Sequence, residues 1–231
     1  MSPDKRYHRT IIACGALRPE LDALLAQSGR DDIGLRYLEQ NLHRTPDRMP
    51  RVIQTAVDEE KDAADELVLG YGLCSNGVVG VRAPAQGLII PRAHDCITFF
   101  LGSRTDYREA FSRRPGAYYL TPGWVAEQKD PLGFLENDYV PRVGRGEAVW
   151  AAKEELKHYT HFVLVYSVTT ADLAELRRRA EENARFFDKQ LEVRQGSDAY
   201  FRKILFGPHD EENFVHIPAG AVVAQRPFLD M

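Results

Sequence analysis

Short apolar runs alternate with stretches of helical periodicity along most of this chain. Residues 10–14 (TIIAC) form the first apolar run, and residues 19–27 (PELDALLAQ) follow with apolar positions spaced along one helix face. Residues 35–41 predict a second strand. From 46 to 64 the helical pattern returns, with Met49, Val52, Ile53, Ala56 and Val57 sharing a face. Further strands are predicted over 66–71 (ELVLGY), 88–92 (LIIPR), 117–120 (AYYL), 161–167 (HFVLVYS), 191–194 and 214–217. Helices are predicted over 97–101 with 106–112, over 147–158, and over 171–189 with Thr170 as the N-cap. Strands and helices that alternate in this way specify an α/β fold. The expectation is a mainly parallel open sheet with helices on both faces, in a single domain over residues 1–231.

Residues 8–125 carry the motifs, and residues 147–231 complete the fold with helices and strands. Between them, residues 121–146 hold Pro122, Gly123, Pro131, Gly133, Pro141, Gly144 and Gly146 among Trp124, Phe134 and Tyr139. A long irregular segment in a compact domain is usually a lid or binding loop, and its aromatic content predicts that this one is ordered.

With 44% hydrophobic and 28% charged residues, the composition is that of a globular protein and excludes a disordered chain. No run approaches the roughly 18 apolar residues of a membrane helix, and the opening MSPDKRYHRT lacks the apolar core of a signal peptide. A cytoplasmic location with no membrane partner is expected. The 30 basic and 34 acidic residues are interspersed without a basic stripe, so no nucleic-acid partner is expected either. Three cysteines, an odd count, argue against a disulfide framework and leave free thiols.

Each cysteine directly follows an apolar strand: Cys14 ends TIIAC, Cys74 lies in YGLCSNG after ELVLGY, and Cys96 lies in RAHDC after LIIP. Open α/β sheets bind ligands outside the carboxyl ends of their strands. If the three strands are parallel neighbours, three thiols meet in one crevice, joined by the imidazole of His94 or of His43. That donor set suits tetrahedral zinc first and an iron–sulfur cluster second. Taken singly, each cysteine also reads as a small buried hydrophobe. The turn around Cys74, with Gly72, Ser75, Asn76 and Gly77, reads further as a helix N-terminus that binds anions and activates a thiol. Asp95 is placed to orient His94. Asn76, Arg92, Arg104, Tyr118, Tyr119, Thr121 and Trp124 are the residues expected to meet a substrate, the aromatics either as a crevice wall or as plain core.

Through IIACGAL (11–17), LGYGLCSNG (69–77), IPRAHDCITFFLGSR (90–104) and PGAYYLTPGW (115–124), the chain resembles the bacterial and archaeal family catalogued as domain of unknown function 1638. The resemblance covers roughly the first 125 residues well. It implies a place near corrinoid-dependent methyl transfer, with a corrinoid protein or methyltransferase as partner. His94-Asp95-Cys96 is similar to the His-x-Cys pair of zinc enzymes that pass methyl groups from corrinoids to thiols. The leading expectation is therefore an α/β protein that binds metal through Cys14, Cys74, Cys96 and His94 and transfers a methyl or other small group to or from a small-molecule substrate or thiol. Two alternatives stand beside it: a metal-free enzyme with Cys74 as nucleophile and His94 as base, and a non-catalytic accessory protein of a corrinoid system.

Overall fold

In the computed structural model, which describes residues 6–229, the apolar runs of the first half build one sheet. Strands β1 (Tyr7–Cys14), β2 (Ile33–Leu38), β3 (Ala64–Gly70) and β4 (Leu88–Pro91) run parallel in the order β2-β1-β3-β4. Ile11, Ile12, Val68 and Leu69 are fully buried, as expected of parallel strands covered on both faces. Helix α1 (Arg18–Ser28) follows β1, and α2 (Met49–Glu60) packs onto β1 and β3 through Met49, Ile53, Ala56 and Val57. Most of the apolar face legible in the sequence is thus the face that packs.

After β4 come α3 (Ile97–Leu101) and α4 (Arg104–Arg113), and then a second, wholly parallel sheet. Its strands are β5 (Ala117–Leu120), β6 (His161–Tyr166) and β7 (Gln190–Gln195). The last strand of the chain, β8 (Phe214–Ile217), returns to the first sheet and pairs antiparallel with β4. The sequence leads one to expect a single sheet; instead β8 takes the edge of β4, and β5 pairs with β6 in a sheet of its own. Around it lie α8 (Arg145–Glu155) and α9 (Leu173–Phe187), with Ala148, Ala152, Phe162, Leu164, Ala180 and Phe187 in a separate core cluster.

Other boundaries differ for local reasons. Strand β2 stops at Leu38 because residues 40–44 turn into a 3₁₀ helix, and α2 stops at Glu60 before Ala64 opens β3. The cap of α9 is Asp172, whose carboxylate accepts from the Glu175 amide at 3.2 Å, whereas the Thr170 hydroxyl accepts from the Ser167 amide at 3.0 Å. Residues 121–146 are not an irregular loop: they form α5 (Pro122–Ala126), α6 (Pro131–Phe134), a π turn over Leu135–Tyr139 and α7 (Val140–Val143). Pro122 and Pro131 sit in the first turn of their helices, where the missing N–H costs nothing, with Thr121 and Asp130 as caps, while Pro141 lies in α7, which directly follows the π turn. Helix α10 (Ala199–Phe206), which the periodicity did not reveal, buries Tyr200, Phe201, Ile204 and Leu205 against α1 and α3.

The two sheets meet through the segments that leave their carboxyl ends. A Cβ on Gly123, just after β5, would stand 2.0 Å from the Ala16 carbonyl oxygen, so glycine is required for this approach to the turn after β1. The Ser197 amide, just after β7, donates to the Phe100 carbonyl of α3 at 3.0 Å. No helix among the described residues is long and apolar enough to cross a membrane.

Candidate functional site: three thiols around a buried tyrosine

Strands β1, β3 and β4 are consecutive neighbours in the sheet, so Cys14, Cys74 and Cys96 leave it on the same edge. The pairing continues past the formal end of the strands: the Leu73 amide donates to the Ala93 carbonyl at 2.8 Å, and the Cys74 amide to the His94 carbonyl at 2.9 Å. Gly72 permits this closeness, since a Cβ there would stand 2.8 Å from the Ala93 carbonyl oxygen. All three cysteines are free and buried.

Tyr71, the first residue beyond β3, lies among them. It is 1% exposed, all three sulfurs are near enough to act electrostatically on its phenol, and its hydroxyl has no hydrogen-bond partner among the described residues. A buried hydroxyl without a partner is costly and calls for an explanation. On its other side the ring stacks with His43 at 6.4 Å between centroids, and His43 Nδ1 lies 3.0 Å from the Gln40 carbonyl.

Burial pushes the Cys14 thiol up to about 12, and burial likewise raises Cys74, Cys96 and the Tyr71 phenol above their ordinary values. Backbone hydrogen bonds from Gly72 and Cys96 offset only part of this at Cys74. These thiols therefore stay protonated unless a cation compensates them. The expected helix N-terminus at Cys74 is absent: Cys74, Ser75 and Asn76 all have left-handed backbone, with φ of 47°, 57° and 67°, and turns continue to Gly80. Three successive non-glycine residues in that region carry about 1–2 kcal/mol of strain each. The turn is therefore held in place by its surroundings, with Ser75 and Asn76 exposed above the buried thiol.

His94 lies on the outer side of this cluster. Its ring stacks on Tyr107 at 5.9 Å, its Nδ1 lies 3.2 Å from Asp95 Oδ2, and Tyr107 donates to the same carboxylate oxygen at 2.8 Å. Asp95 Oδ1 meanwhile accepts from the Ile97 amide at 2.9 Å at the start of α3. The hydrogen bond to Asp95 raises the His94 pKa. Tyr107, the third member, was missed because nothing in the sequence marks a tyrosine eleven residues past Cys96 as its neighbour.

The remaining residues divide. Strand alternation sends Tyr118 into the second core against Trp124, Tyr159 and Phe162, while Tyr119 packs with the first core and senses Asp95. Thr121 is fully buried as the cap of α5, accepting from the Trp124 amide, and Trp124 bridges the two cores. Arg92 donates to the backbone carbonyls of Pro227, Glu211 and Phe214, so it clamps the last segment of the chain to the sheet. Arg104 begins α4 beside His94. Glu127, which the motifs did not single out, brings its carboxylate near Cys14 and, with Glu39, Gln40 and Lys129, lines a cavity of about 260 Å³.

Among the described residues, no group of three or more His, Cys, Asp or Glu side chains is already disposed as a metal cage. The donor chemistry nevertheless fits a soft cation: three thiols from adjacent strands and one buried hydroxyl that lacks a partner.

Neither a curated protein nor a solved structure matches the chain. A family does, the one described as protein of unknown function (DUF1638), over residues 37–205. The match runs from β2 to α10, further into the second half than the motifs alone indicate, and takes in Tyr71, Cys74, His94 and Cys96 while leaving β1 and Cys14 outside. Spanning well over half of the sequence, it establishes that this chain belongs to the DUF1638 family.

Proposed function

We propose that this protein is a metal–thiolate enzyme, with zinc as the first candidate and an iron–sulfur cluster as the second, acting in methyl or other small-group transfer. The observation that carries the reading is the meeting of Cys14, Cys74 and Cys96 around the unpartnered hydroxyl of Tyr71. The three cysteines would hold the metal. When bound, zinc would act as a Lewis acid and keep a substrate thiol in its thiolate form. Tyr71 would supply a fourth, oxygen donor, which would satisfy its hydroxyl. Burial excludes water from the thiols, and the raised thiol pKa values make proton release depend on the cation's arrival.

The metal-free reading, with Cys74 as nucleophile, is less well supported. A nucleophilic cysteine needs a lowered pKa and access, whereas Cys74 is 3% exposed and shifted upward by burial.

The test is elemental analysis with an absorption spectrum on protein purified without oxygen, for the wild type and for Cys74→Ser and Cys96→Ser. The expected result is about one zinc per chain with no visible band, lost in both variants while circular dichroism shows the fold retained. Iron with sulfide and a visible band would instead identify the cluster. Full metal content in both serine variants, or none in the wild type, refutes the reading.

A further inference from the structure

Beside the thiol cluster, a second site opens on the outer face of His94. A pocket of about 240 Å³ lies between α4 and the last described turn of the chain, lined by His94, Tyr107, Arg104 and Arg108 on one side and by Phe228 and Leu229 on the other. Arg104 and Arg108 stand one turn apart on the same face of α4, a spacing at which like charges repel. The neighbouring acids on this helix are engaged elsewhere: Asp106 accepts from Ser103 at the N-cap, and Glu109 pairs with Arg113. No carboxylate pairs with Arg104 or Arg108 among the described residues, and the one hydrogen bond of Arg108 is a long one to Thr105 at 3.5 Å.

The opposite wall is apolar. Phe228 is fully buried and Leu229 is 57% exposed. Thr98 lines the pocket as well, and its buried hydroxyl has no hydrogen-bond partner among the described residues. Two guanidinium groups that have no counter-ion among the described residues, next to an apolar wall, are complementary to one type of molecule. We infer that this pocket binds a small organic carboxylate with an apolar body, the carboxylate held by Arg104 and Arg108 and the body against Phe228 and Leu229. Its volume is below the roughly 300–1,000 Å³ of drug-sized sites, which limits the ligand to metabolite size. The inference rests on this geometry alone and does not depend on the metal reading.

The test uses the full-length protein with hexanoate as probe and 1-hexanol as its uncharged counterpart, followed by calorimetry and by the NMR signals of the His94 ring. Both the chelator-treated and the zinc-supplemented protein are titrated, so that failure of the metal reading leaves this result interpretable. Hexanoate is expected to bind more tightly than hexanol and to shift the His94 signals. The Arg104→Gln/Arg108→Gln variant is expected to weaken hexanoate about tenfold or more and to leave hexanol unchanged. Both positions are on the helix surface, and circular dichroism checks that the variant folds. Equal binding of hexanoate and hexanol overturns the inference. So does preference for inorganic phosphate over hexanoate, or a double variant that binds hexanoate like the wild type.

Discussion

Removing the Tyr71 hydroxyl separates the two explanations for a buried polar atom without a partner. Tyr71 is 1% exposed, so Tyr71→Phe keeps the ring, its packing and its stacking on His43 while deleting one oxygen. A buried hydroxyl that makes no hydrogen bond costs about 1–3 kcal/mol in proteins. The chelator-treated variant should therefore be more stable than the chelator-treated wild type by about that amount. For a chain of this length that is a rise in Tm of roughly 2–12 °C, from about 2–4 °C for each kcal/mol. Urea unfolding followed by tryptophan fluorescence and by circular dichroism should show a higher midpoint with an unchanged slope, since the buried surface is the same. Zinc should reverse the ranking: if the hydroxyl serves the metal, zinc stabilises the wild type more than the variant, by mass action on the folded state. A chelator-treated variant that is no more stable than the wild type refutes the reasoning, because the hydroxyl must then be satisfied, for example by a buried water.

Other perturbations test other parts of the structure. Glu20, fully buried in the first turn of α1, has its carboxyl pushed up to about 8 by burial, with one oxygen unpartnered. A raised carboxyl pKa means the folded state holds the proton more tightly, so this contribution to stability is full below pH 4.5 and is lost as pH rises through about 8. Glu20→Gln should remove that loss and flatten the pH profile of the urea midpoint across this window; an unchanged profile would contradict the assignment. Gly123→Ala should destabilise by about 1–3 kcal/mol, because the added carbon would stand 2.0 Å from the Ala16 carbonyl oxygen and force the turns after β1 and β5 apart; a neutral substitution would show that this contact is loose. Asp95→Asn should lower the His94 pKa, since the bond to that carboxylate is what chiefly raises it, and an NMR titration that finds no change would exclude the pairing.

Much of the first sheet was legible because its signals are local. The runs TIIAC, ELVLGY and LIIP are the buried centres of β1, β3 and β4, and the face of α2 that packs carries Met49, Ile53, Ala56 and Val57, as its spacing indicates. A cysteine after each of three strands was visible in the same way, as was the apposition of Asp95 to His94, which are adjacent in sequence. Residues 121–146 were misleading because proline and glycine break long helices yet also start short ones, and periodicity needs more residues than α5, α6 and α7 contain.

Local pattern therefore determined which segments are strands and helices, and which residues could carry chemistry. Strand order is another matter, since pairing is a contact between segments far apart in sequence. That β1, β3 and β4 are neighbours, and that β8 pairs with β4 while β5 pairs with β6 in a second sheet, was decided only by tertiary packing. The same packing placed Tyr71 among the sulfurs, His43 on its ring and Tyr107 on Asp95, and it bound Arg92 to three backbone carbonyls. A side chain's partners are set by what the fold brings within a few ångströms of it, and distance along the chain carries no record of that.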